Sequence, residues 1–230
     1  MGSKNRYAKE LLPIILKDRN LYQWYVEPFV GGGNMIDKVS GNKRIGNDIN
    51  TYVIALLNAI RDAMPFPKNV SEKEYNNVKA NKDSFDAHIV GFVGFLCSYS
   101  GKWFGGYARG NDKNGKQRNY CEEAWRNITN QSCGLRGAIF TSGHYITMDI
   151  PVNSIIYCDP PYRNTTKYKD KFNHIEFWEW CDKMVKDGHS VFVSEYNAPN
   201  GWNCVWEKTV NSSLTKETGS KRATEKLFTK

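Results

Sequence analysis

No Cys-x-x-Cys pair and no His-Glu-x-x-His run occurs in this chain, although it carries six cysteines. Those spacings are what a redox dithiol or a zinc site needs, so neither is expected and no metal is called for. A chain of 230 residues, 40% of them hydrophobic, can bury an ordinary core without covalent staples. The cysteines at 97, 121, 133, 158, 181 and 204 are therefore read as free thiols of a reducing cytoplasm. No apolar run approaches the roughly 18 residues of a membrane span. The opening MGSKNRYAKELL is charged within its first few residues, so neither a signal peptide nor a membrane partner is expected. No internal repeat is present.

What the chain has in excess is positive charge and aromatic side chains. Its formal net charge is +8, and 13% of its residues are Phe, Trp or Tyr. A basic balance suits a polyanion such as nucleic acid, and aromatic rings can stack on bases. A basic protein with an aromatic core and no such partner has the same composition, and charge alone leaves both open.

Periodicity gives the organisation. Residues 5–17 pattern as an amphipathic helix that Pro13 kinks or ends. Trp24, Tyr25 and Val26 are strand formers, stopped by Pro28 and a glycine run. A helix, a second strand ending near Asp48 and a further helix up to Pro65 follow. This alternation over 1–64 predicts a doubly wound parallel sheet. It breaks across 65–145, where SFDAHIVGFVGFLCSYS reads as a buried helix and EEAWRNITNQSCGLR as another. Between them GKWFGGYARGNDKNGKQRNY is too rich in Gly, Asn and Lys for regular structure. Alternation resumes with SIIYC (strand), IEFWEWCDKMVKD (helix, stopped by Gly188) and HSVFVSEY (strand). CVWEKTV and TEKLFTK read as a closing antiparallel pair around a polar, mobile loop. The predicted fold is thus α/β, one domain from 1–64 and 146–230 with a mainly helical lobe inserted at 65–145.

Two segments carry chemistry. In EPFVGGGNM, Gly31, Gly32 and Gly33 stand after a strand and before a predicted helix, where the backbone can approach a ligand closely. A dinucleotide fingerprint wants glycine where this chain has Ile36, and no Gly-Lys-Ser/Thr follows for a phosphate loop. Glu27 before the glycines and Asp48 at the next strand end would repel phosphate and suit a cationic ligand with a ribose. S-adenosylmethionine has those features; a glycine turn with capping acids fits the loop equally well. The second segment is YCDPPY, residues 157–162. Asp159 ends a strand in the second half of the sheet, facing the same crevice. Pro160 and Pro161 fix two backbone angles and remove two donors. This leaves a stiff arm bearing the Asp159 carboxylate and the Pro160 carbonyl, with the Tyr162 ring beside them. Two acceptors and an aromatic face suit an exocyclic amino group on a base, whose nitrogen they would favour as it turns pyramidal and attacks a methyl group. A proline-stiffened turn is the plainer account.

YVEPFVGGGNM, GNDIN and YCDPPY, in this order and with an insertion before the last, resemble the Dam-type N6-adenine DNA methyltransferases. MGSKNRYAKELLPII and VFVSEYNAP resemble that family's N-terminal segment and a later strand. The resemblance implies a Rossmann-like methyltransferase sheet that binds S-adenosylmethionine through Lys4, Glu27, Phe29, Gly31, Gly33, Asp48 and Asp159. It further implies catalysis by Asp159, Pro160, Pro161 and Tyr162 on an adenine flipped out of double-stranded DNA. A monomer in the cytoplasm of a bacterial or phage-infected cell is expected. Methylation of another amino group, on cytosine N4 or RNA adenine, and a silent DNA-binding module are the competing functions.

The same resemblance makes the 65–145 insertion the DNA-recognition lobe. From Lys102 to Arg118 it carries five basic residues and one acid, Asp112. Lys102, Arg109, Lys113, Lys116 and Arg118 would meet phosphates or a guanine edge. Trp103, Phe104 and Tyr107 would wedge into the gap left by a flipped base, or else pack beneath the loop.

Overall fold

The computed structural model describes residues 4–161, 172–212 and 221–230. A short 3-10 turn, Lys4–Tyr7, leads into α1 (Ala8–Ile15), which ends two residues after Pro13. The strand β1 (Tyr25–Glu27) is buried along its whole length, as a central parallel strand must be. It is followed by β2 (Arg44–Asp48) and α2 (Thr51–Arg61). Asn50 caps α2, its side-chain oxygen accepting from the Tyr52 and Val53 amides. Then come α3 (Glu72–Ala80), with a Ser71–Glu74 capping box, and α4 (Ala87–Gly91), which runs into a π-helical turn at Phe92–Leu96. α5 (Tyr120–Leu135), β3 (Ile139–Ser142), β4 (Ile155–Cys158), α6 (His174–Lys186), β5 (Ser190–Glu195), β6 (Asn203–Ser212) and β7 (Lys221–Thr229) complete the chain. Gly188, at φ +88°, terminates α6 in the left-handed conformation. The polar loop predicted between β6 and β7 lies, across 213–220, outside the described residues. All six cysteines are free.

The strands form one sheet in the order β3-β2-β1-β4-β5-β7-β6. β3 through β5 pair in parallel, while β7 runs antiparallel to both β5 and β6. The chain winds outward one way from β1 to β3 and the other way from β4 to β5. The predicted doubly wound, Rossmann-like sheet is therefore present, with its switch point between β1 and β4. One face packs with α1, α2, α4 and α5 around Leu11, Tyr25, Leu57, Phe92 and Tyr157. The other packs with α6 around Val26, Ile156, Phe177 and Val193.

Two expectations need correcting. The helix predicted after the glycine run is only a 3-10 turn, Ile36–Lys38. The C-terminal end of α5 occupies the space that such a helix would need. A Cβ on Gly134 would stand 2.3 Å from the Asp37 carbonyl oxygen. The Arg44 guanidinium clamps the two segments together by donating to the carbonyls of Ile36, Gly134 and Arg136. Residues 65–145, secondly, do not fold on a core of their own. Phe92, Val93, Phe95, Cys121 and Ile128 join the core of the sheet's first face, and β3 is an edge strand of the sheet itself. What stands out from this body is the irregular stretch 99–118.

Candidate active site

Four of the five parallel strands end on acids, β3 ending on Ser142 instead. Glu27 closes β1, Asp48 closes β2, Asp159 follows β4 directly, and Glu195 closes β5. Ligands in open α/β sheets bind outside these ends, nearest the switch point. The period of two along each strand sorts the acids by face. Glu27 shares a face with Tyr25, and Asp159 shares that same face with Tyr157. Glu195 turns to the α6 side, where His174 lies 3.9 Å away.

Glu27 is buried, its Oε1 accepting from the Tyr25 hydroxyl at 2.8 Å. Burial pushes its carboxyl up to about 8, with Asp37 and Asp159 adding to the rise and the Tyr25 hydroxyl opposing it. The sequence treats Glu27 as a charged flank of the site. Removed from water, it is instead largely protonated at neutral pH. Asp48 anchors the glycine loop: its Oδ2 accepts from the Gly31 amide at 3.1 Å and its Oδ1 from the Asn50 amide at 2.9 Å. Burial raises its carboxyl above the ordinary value, and those two amides work against the rise.

The loop itself is tied from three sides. Val30 donates its amide to the Asn47 carbonyl at 2.8 Å, joining the loop to β2. Gln131, on α5, donates Nε2 to the carbonyls of Gly32 and Gly33 at 2.9 and 3.2 Å. Gly33 has φ +67°, and a Cβ there would press on Leu57 at 3.0 Å, so only glycine fits without strain. A Cβ on Gly31 would meet nothing within 4 Å. The loop is therefore rigid behind and open in front. The Phe29 ring, two residues before the glycines, packs on Tyr145, Phe172 and Phe177 at centroid distances of 5.1, 5.8 and 5.7 Å, on the α6 side.

Lys4 reaches the same crevice from the turn before α1. Its Nζ lies 3.4 Å from Asp159 Oδ1 and 2.7 Å from Glu225 Oε2, on β7. Burial alone would depress this ammonium, but Asp159 and Glu225 together hold it above its ordinary value. Pro160 is buried behind Asp159 and Pro161 half-buried. Tyr162 lies outside the described residues.

The basic stretch borders the crevice. Trp103 stacks on Tyr52, at the start of α2 and four residues after Asp48, with 5.0 Å between ring centroids. Trp103 also packs on Phe95 at 4.6 Å, Phe104 is buried, and the Tyr107 hydroxyl donates to the Val70 carbonyl at 2.7 Å. Phe104 and Tyr107 thus pack beneath the loop, the second of the two arrangements the sequence allows, while Trp103 remains 36% exposed. Arg109 pairs with Glu72 and Arg118 with Glu123, whereas Lys102, Lys113 and Lys116 are exposed.

Four residues of interest escaped the sequence reading. Glu195 gave the same strand-end signal as the other acids. Ile49, 70% exposed beside Asp48, offers an apolar surface to a flat ring, and an apolar residue between two polar ones was its signal. Gln131 and Glu225 had none, because their places depend on tertiary packing.

A doubly wound sheet whose strand ends carry acids and an anchored glycine loop defines a Rossmann-like α/β protein suited to a cationic nucleoside. Residues 1–201 match the family model described as D12 class N6 adenine-specific DNA methyltransferase, and the chain belongs to that family. Modification methylase StsI of Streptococcus sanguinis is 27% identical over 206 residues, covering 80% of this chain and 31% of that protein. Type II methyltransferase M.FokI of Planomicrobium okeanokoites is 23% identical, covering 77% and 30%. The chain thus spans about a third of the length of these curated relatives. Among solved structures, HI0767 of Haemophilus influenzae, described as a methylase, aligns at 12% identity and TM-score 0.40, over 99% of this chain and 98% of its own. SMU.472, described as a methyltransferase and solved with SAH, aligns at 12% identity and TM-score 0.41, over 98% and 52%.

Proposed function

We propose that this chain transfers a methyl group from S-adenosylmethionine to N6 of an adenine flipped out of double-stranded DNA. The observation that carries this is Asp159, fixed by two prolines at the end of β4 and held beside Lys4, on the same crevice as the loop anchored by Asp48. The residues present fit the cofactor. Asp48 borders an open glycine backbone where a ribose can lie, Ile49 offers an apolar seat for a base, and the loop is followed by no phosphate-binding lysine. S-adenosylmethionine supplies an electrophilic methyl carbon on a sulfonium.

The chain's part is positioning and charge. The Asp159 carboxylate and the Pro160 carbonyl accept the two N–H bonds of the adenine amino group, which favours its pyramidal form. With S-adenosylmethionine held at Asp48 and the glycine loop, its sulfonium would supply the methyl group to the N6 lone pair and would leave as a neutral thioether that keeps the carbon–sulfur electron pair. The methylated nitrogen is then strongly acidic and gives its proton to water, so Asp159 need not act as a strong base. Tyr162 stacks on the adenine ring. The exposed lysines of 102–118 meet DNA phosphates, and residues 65–145, apart from β3, make the recognition lobe of a catalytic body formed by 1–64 and 146–230. On this reading the chain is a monomer acting on DNA in the cytoplasm.

The test is Asp159→Ala, checked for folding and assayed for labelled methyl transfer to DNA adenine. A loss of about 10²–10³ in rate is expected. Near-normal turnover would reduce the Asp-Pro-Pro segment to a stiff turn and end this assignment.

A further inference from the structure

The crevice holds one acid that the family match does not reach. Glu225 lies beyond residues 1–201, on the antiparallel strand β7. Lys226 pairs with Glu195 at the end of β5, so Glu225 stands one residue past that end, level with the other acids. It is two residues from Leu227 and shares its face, the face that α1 covers. Lys4 sits on the turn that enters α1, and there the two side chains meet.

Lys4 is shared unequally between two carboxylates. Its Nζ makes the shorter contact with Glu225, at 2.7 Å, and a longer ion pair with Asp159, at 3.4 Å. The side chains of Lys4, Asp159 and Glu225 are only 10%, 22% and 15% exposed, so their charges are weakly screened. Building on the function proposed above, we propose that Glu225 is a positioning residue for Asp159. It holds the Lys4 ammonium back, so that the Asp159 carboxylate keeps lone pairs for the substrate amino group. Without Glu225, Lys4 would close onto Asp159, and a direct ion pair would compete with the amino group for those oxygens. Two carboxylates around one ammonium also leave a net negative charge, which suits a sulfonium.

Glu225→Gln keeps the shape and removes the charge. Methyl transfer to DNA should lose on the order of tenfold in kcat, with smaller changes in KM. Glu225→Asp should recover part of that rate. In a Lys4→Met background the same Glu225→Gln change should cost little, because the ammonium it restrains is gone. NMR titration of isotope-labelled lysine should show the Lys4 pKa falling in Glu225→Gln. A lowered melting temperature with kcat intact would make Glu225 a strut and overturn the proposal. An equal rate loss with and without Lys4, or an unmoved Lys4 titration, would overturn it as well. If the wild-type protein transfers no methyl group to DNA adenine, the proposed function falls, and the Lys4 titration still decides whether Glu225 governs that ammonium.

Discussion

Burial keeps a proton on Glu27 that the unfolded chain would release, and this ties stability to pH. Its carboxyl titrates at about 8 in the folded chain against an ordinary value of 4.5. Between those values the native state holds more protons than the unfolded state, so stability falls as pH rises, by up to about 1.4 kcal/mol per unit. Below that window the contribution is fully present, and above it the loss is complete. Glu27→Gln should remove this slope and leave the variant more stable than wild type at about pH 9. Urea unfolding of both proteins across that range checks it, and parallel curves would mean that Glu27 titrates normally. Asp48→Asn keeps one acceptor and places an amide group where the other amide donor pointed. Affinity for S-adenosylmethionine should fall roughly tenfold by calorimetry, the worth of one lost hydrogen bond to a charged group. Asp48 and Asp159 were legible because an acid after a buried strand has few structural uses. Lys4 came only through resemblance. That the Phe29 ring lies on the α6 side was not legible, because sequence proximity to the glycines does not say on which side of the sheet a ring lies.

At the scale of elements, α5 shows what periodicity cannot tell. Its helical pattern was plain in the sequence, but its place was not. It takes the position against the sheet where a helix between β1 and β2 was expected, leaving only the turn Ile36–Lys38 there. The device that fixes it is Arg44, whose guanidinium donates to the carbonyls of Gly134 and Arg136 at the helix end and of Ile36 in the turn. Arg44→Met would leave those buried acceptors unpaired, and should destabilise the protein by about 2–4 kcal/mol in denaturant unfolding. Gln131, nearer the middle of α5, acts on the site instead. Gln131→Leu should weaken binding of S-adenosylmethionine several-fold while the melting temperature hardly moves. Equal affinity in that variant would show that the glycine loop holds its shape without α5.

On the scale of the whole molecule, the charge is divided. The net +8 coexists with acids at the strand ends, while Lys102, Lys113 and Lys116 are exposed on the irregular stretch 99–118. Binding to DNA should therefore depend steeply on salt, and replacing Lys113 and Lys116 with Ala should lower the slope of log K against log salt by about two. An unchanged slope would place the DNA elsewhere. The doubly wound parallel sheet was legible because alternation of element types and handed crossovers leave few topologies. The limits of the middle stretch were not, since its helices are amphipathic toward a core that other segments supply. The Lys4–Glu225 contact joins side chains 221 residues apart, and it depends on the terminal hairpin of β6 and β7. Contacts of such high sequence separation form late in folding and are vulnerable to partial opening. Fraying of that one hairpin would release Lys4 and abolish the proposed methyl transfer while the parallel strands stayed folded. Hydrogen exchange at β7 should then track lost activity under mild denaturant, well before the amides of β1 and β4 lose protection.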